Sequence, residues 1–83
     1  MPDHVIVQFN MHRRGRVVDL EVPLDMTARE LLLALNQAYV LGIAADKMAD
    51  CYLSCERPTA LLRGNRTLRE IGLRNGSVIH FTR

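Results

Sequence analysis

The feature that most restricts what this chain can fold into is a change of period. "HVIVQFNM", from His4, alternates, with Val5, Val7 and Phe9 on one side and Ile6, Gln8 and Asn10 on the other. "HRRG" follows, and "RVVDLEV" alternates again, Val18, Leu20 and Val22 against Asp19 and Glu21. Alternation sends successive side chains to opposite faces of a strand, so two such runs across a short turn ending in Gly15 make a hairpin with one buried face. After Pro23 the spacing becomes helical. Thr27 and Glu30 form a T-x-x-E capping box, with Met26 and Leu31 placed as the hydrophobic staple around it. Leu31, Leu35 and Ala38 then share one face, flanked by Leu32, Ala34 and Tyr39, and Gly42 is the expected stop.

The remainder returns to short strands. "CYLSC" alternates, with Cys51, Leu53 and Cys55 on one side, and "ERPT" breaks it. "ALLRG" reads as a short fourth strand, and "TLREIGL" as one helical turn begun by Thr67 with Glu70 three residues on. "RNG" turns the chain into a last strand with Ile79 and Phe81 inward. The expected fold is α+β, a mixed sheet of four to five strands with one helix packed across it, in a single domain over residues 1–83.

A chain of 83 residues hides only about two-thirds of its unfolded surface on folding, which argues against a deep catalytic cleft. Apolar residues make up 48% and charged residues 24%, an ordinary globular balance. No apolar run reaches the roughly 20 residues of a membrane span, and "MPDHVIVQF" lacks a basic region before a long apolar core, so neither membrane insertion nor export is expected. In an extended segment Cys51 and Cys55 stand roughly 13 Å apart, beyond disulfide reach, and read as reduced thiols of a cytoplasmic protein.

Metal, cofactor and catalytic sites are not expected. His4 and His12 fall at opposite ends of the first strand and His80 points outward on the last, which gives no ligand set. Two cysteines are too few for an iron–sulfur cluster, and both fall on the strand face turned to the helix, where thiols are inert. "RGNRT" has one glycine and is a turn, not a phosphate loop.

Several stretches resemble ubiquitin: "LEV" before a proline and a Thr-capped helix, and "RTLREIGL" followed by "GSVIHF". Within that β-grasp group the chain is most similar to the YukD/EsaB family, small bacterial proteins that accompany type VII secretion systems. The similarity lies in "VIVQF", "GRVVDLEV" and "RGNRTLREIGLRNGSVIHF". "SCERPTALLRG", with its cysteine-bearing third strand, is longer than the family pattern there. The resemblance implies a ubiquitin-like β-grasp and a module that acts by protein–protein contact. Ubiquitin and the sulfur carriers of this fold react through a Gly-Gly tail, whereas this sequence closes on Thr82-Arg83, so conjugation is not expected.

Two surfaces are candidates for partner binding. Leu33 and Val40, seven apart, lie opposite the buried helix stripe; they are either scattered exposed residues or a contact face for a partner or a second copy. Ile6 on the first strand and Val78, His80 and Thr82 on the last are expected side by side on the outer sheet face, which serves many ubiquitin-like domains for docking. The resemblance implies an accessory or regulatory component of a type VII secretion system that touches cytosolic domains of its membrane components. The alternative is a small basic nucleic-acid binder using Arg13, Arg14, Arg16, Arg63, Arg66, Arg69 and Arg74. From Arg57 onward six arginines stand against Glu70 alone, but with Phe9 and Phe81 in the core few aromatic rings remain for base stacking, so nucleic acid is the less favoured partner.

Overall fold

A computed structural model of the chain describes residues 3–44, 47 and 52–82. Strand β1 (His4–Met11) and strand β2 (Arg16–Pro23) form the expected antiparallel hairpin, from His4 opposite Pro23 to Met11 opposite Arg16. A short 3-10 turn over His12–Arg14 joins them. It closes on Gly15 at φ 59°, a left-handed conformation that glycine adopts without a Cβ clash. Helix α1 (Ala28–Tyr39) crosses the sheet, followed by β3 (Leu53–Glu56), β4 (Ala60–Leu62), the single-turn helix α2 (Leu68–Ile71) and β5 (Val78–Phe81). The sheet order is β2-β1-β5-β3-β4, with β1 and β5 parallel and the other pairs antiparallel. This is the β-grasp arrangement that the sequence leads one to expect, a mixed five-stranded sheet with one main helix packed across it. Cys51, at the expected start of the third strand, lies outside the described residues.

One face of the sheet and one stripe of α1 make the core. Val5, Val7, Phe9 and Met11 of β1 meet Leu31, Leu32 and Leu35 of α1, with Leu53, Cys55, Leu62, Ile79 and Phe81 from the other strands. Phe9 stacks obliquely on Tyr39 and Phe81, at centroid separations of 5.6 and 6.4 Å, so the aromatic rings lie where sheet and helix meet.

Both T-x-x-E boxes form, and each helix start also caps the other. In α1 the amides of Ala28 and Arg29 donate to the carbonyls of Arg66 and Gly64, while Glu30 donates to the Thr27 hydroxyl. In α2 the amides of Leu68 and Arg69 donate to Met26 and Leu24, while Glu70 donates to the Thr67 hydroxyl. Leu31 and Ile71 donate to the Thr27 and Thr67 carbonyls, so all four leading amides of each helix have partners. The side chains of Glu30 and Glu70 accept from the Thr27 and Thr67 amides in return. Arg69 adds ion pairs to Asp25 at 3.2 Å and Asp3 at 3.7 Å across the same junction.

The helix ends earlier than Gly42. Val40 is the C-cap, at φ 51°, its amide donating to the Asn36 carbonyl. The Arg14 guanidinium of the hairpin turn reaches the carbonyls of Tyr39 at 2.5 Å and Val40 at 2.6 Å, setting a cation on the negative end of the helix. Asn36 clamps the following loop, its side-chain amide accepting from and donating to the Ile43 backbone. Ala38, expected in the core, is exposed along with Ala34, because both line a groove left open between α1 and β2.

Candidate docking surface

The strand registers lay out the outer sheet face in rows. One row runs Asp19, Gln8, Val78, Glu56; the next runs Val17, Asn10, His80, Ser54, Leu61. Tyr52, two residues before Ser54, falls on the same face. Six large apolar residues of the described chain are exposed, and four of them, Ile6, Val17, Tyr52 and Leu61, stand on this face. The other two are Leu33 and Val40.

Of the residues expected here, Ile6 and Thr82 are exposed, but Val78 is only 8% accessible and His80 is half-buried. Val78 sits on the central strand, flanked by Gln8 of β1 and Glu56 of β3. Nor is Ile6 beside Val78: the register gives that place to Gln8. Ile6 lies beyond the start of β5, where its amide donates to the Asn75 side chain at 2.8 Å and its carbonyl accepts from Gly76 at 3.0 Å. Apart from Ile6, the apolar residues that the registers place on this face stand at its margins, Val17 on one edge strand and Leu61 on the other.

Between Asp19 and Arg57 the face carries a shallow depression of about 540 Å³, with Ile6 and Gln8 in its floor and Asn75 on its rim. One rim is acidic and the other basic, an arrangement suited to a polar partner segment with charges of both signs.

The sequence places His12 and His80 apart, and the structure brings them together. Their rings lie 5.0 Å apart, with Nε2 of His12 at 2.7 Å from Nδ1 of His80. Parallel pairing of β1 with β5 causes this, since it stacks the exit of β1 beside the end of β5. Nε2 of His80 is buried without a hydrogen bond, and Oε1 of Glu56 lies 3.5 Å from it. Cys55 is no partner for this pair, because it is paired with Ile79 and faces the core, while His80 faces out. Burial pushes the Cys55 thiol above its ordinary value, and its Sγ donates to the Pro58 carbonyl at 3.1 Å, the reverse of an activated nucleophile.

Leu33 is exposed on α1 as expected. Val40 is exposed too, but it stands past the helix end in a left-handed turn, so the two do not form a continuous i, i+7 stripe. The arginines divide as well. Arg14 holds the α1 terminus, Arg69 is ion-paired, and Arg66 donates to the Glu70 carbonyl at 3.3 Å, which reduces the candidates free to contact phosphates. Among the described residues no helix is long and apolar enough to cross a membrane.

Comparison with known proteins agrees with this geometry. The family model described as "WXG100 protein secretion system (Wss), protein YukD" matches residues 4–81. No curated protein matches the sequence. Among solved structures, the C-terminal ubiquitin-like domain of mouse tubulin-specific chaperone e superposes with a TM-score of 0.73 at 14% identity, covering 94% of this chain and 84% of that one. The ubiquitin-like domain of yeast Ddi1 superposes with a TM-score of 0.66 at 19% identity, covering 96% and 88%. That of Plasmodium falciparum Dsk2 gives 0.63 at 17%, covering 93% of each chain. At such identities the structures share the fold.

Proposed function

This chain belongs to the YukD family, and on that premise we propose that it is a non-conjugated ubiquitin-like module of a bacterial type VII (WXG100) secretion apparatus. It acts in the cytoplasm as an accessory or regulatory component, docking reversibly on cytosolic domains of the membrane components. The observation that carries the assignment is the family match across nearly the whole chain.

The outer sheet face supports the mode of action. Four exposed large apolar side chains stand on that face, together with the half-buried His80 and the exposed Thr82. Such a mixed apolar and polar surface, on a rigid five-stranded sheet, suits a reversible protein contact. The helix face around Leu33 and Val40 is the lesser candidate, because the helix ends between them.

The test is export of WXG100 substrates in the native host after deletion of the gene. Restoring the wild-type protein should restore export, whereas Val17→Asp with Leu61→Asp should not, although that variant folds. Unchanged export on deletion would refute the assignment. Recovery of the protein joined to another by an isopeptide or thioester link would refute non-conjugated action.

A further inference from the structure

The two edges of the sheet differ. One is β4, three residues long; the other is β2, eight residues long, whose outer side pairs with no strand among the described residues. A long open edge is a template for a further strand, and natural folds commonly blunt or cover such edges. Here the edge is bordered by an apolar groove of about 200 Å³ between β2 and α1. Leu31, Leu35 and Val22 form its floor, Leu20 its strand side, and the exposed Ala34 and Ala38 its helix side. The two alanines, one turn apart, keep the helix wall low enough for side chains from a neighbouring strand to enter.

Charge specifies what fits. Asp19 and Glu21 project from β2 on the outer face, exposed and without an ion-pair partner among the described residues. At the hairpin end of the same strand Arg13 and Arg16 are exposed and likewise unpaired among the described residues. We infer that β2 accepts an extended peptide segment of a partner protein as a sixth strand. Aliphatic side chains at every second position enter the groove, basic ones between them lie over Asp19 and Glu21, and an acidic end lies against Arg13 and Arg16. Main-chain bonds to the open edge supply affinity, and the alternating pockets and charges supply specificity. A second copy fits poorly, because antiparallel pairing centred on Asp19 or Leu20 would set Asp19 against Asp19 or Glu21 of the copy. Like charges directly opposite are unfavourable.

In antiparallel pairing the peptide acetyl-Val-Lys-Val-Lys-Val-Asp-Glu-amide places its valines opposite Val22, Leu20 and Val18, its lysines opposite Glu21 and Asp19, and its glutamate opposite Arg16. Titrated into the isotope-labelled full chain, it should shift the amides of β2 and those of Ala34 and Ala38. The charge-swapped peptide with Glu for Lys and Lys for the acids should bind at least about tenfold more weakly. Asp19→Lys with Glu21→Lys should reverse that order. Ala34→Gln with Ala38→Gln, which fills the groove from exposed positions, should abolish binding of both peptides while leaving the fold intact. No binding at millimolar peptide, equal affinity for the two peptides, or shifts confined to the outer face would overturn the inference. So would concentration-dependent self-association through β2 in the absence of peptide, since the occupant would then be a second copy.

Discussion

Replacing Thr27 or Thr67 with Ala tests how the two ends of the sequence are tied together. Each threonine hydroxyl accepts from the third amide of its helix, at 3.1 Å in both cases. Losing such an N-cap costs about 1 kcal/mol. In a domain of this size that lowers the melting temperature by about 4–8 °C. The caps are not independent, because the first amides of α1 donate to Arg66 and Gly64 and those of α2 to Met26 and Leu24. Fraying one start removes acceptors from the other, so the second substitution finds part of its loss already incurred. The double variant should therefore lose less than the sum of the single variants, by about 0.5 kcal/mol or more. Urea denaturation followed by circular dichroism gives the three values, with Thr27→Ser as the control that keeps the hydroxyl. Additivity within about 0.3 kcal/mol, or a serine variant as unstable as the alanine one, would refute the reciprocal cap.

The same boxes set an acid limit. The Thr27 amide, and then its hydroxyl, hold the Glu30 carboxyl below its ordinary 4.5, and Thr67 does the same for Glu70. The unfolded chain then binds more protons as pH falls, so the stability these groups contribute above pH 4.5 is lost as pH drops through their folded values. Urea midpoints should show that decline, and Glu30→Gln with Glu70→Gln should flatten it. Val78→Ala should cost about 2 kcal/mol in the same assay, whereas Thr82→Ala should be nearly neutral. Leu33→Glu with Val40→Glu should change stability by no more than about 0.5 kcal/mol per site. Val40→Gly should raise stability by about 1 kcal/mol, since a β-branched residue at φ 51° is strained where glycine is not. A thermal scan that shows destabilisation would contradict that strain.

Local chemistry made the elements legible. The capping boxes name the threonines that start both helices, and alternation gives the inward sets of β1 and β5, Phe9 and Phe81 among them. Lateral relations were not legible, because they depend on which strands become neighbours. Val78 has the outward phase of its strand, yet its central place in the sheet buries it. Val17, Tyr52 and Leu61 come to one face only through the four registers that join the five strands. His12 and His80, 68 residues apart in sequence, meet only through the parallel β1–β5 pairing. The early helix end also has a distant cause, since Arg14 of the hairpin binds the terminal carbonyls and lets Val40, not Gly42, close the helix.

Docking of the outer face on the secretion apparatus is tested most directly by a photo-crosslinking residue placed at Leu61, at Val17 or at Leu33 in cells that are exporting WXG100 substrates. The proposal predicts crosslinks from Leu61 and Val17 to a cytosolic domain of a membrane component of the apparatus, with little from Leu33. Crosslinking from Leu33 alone, or none at any of the three positions, would contradict it.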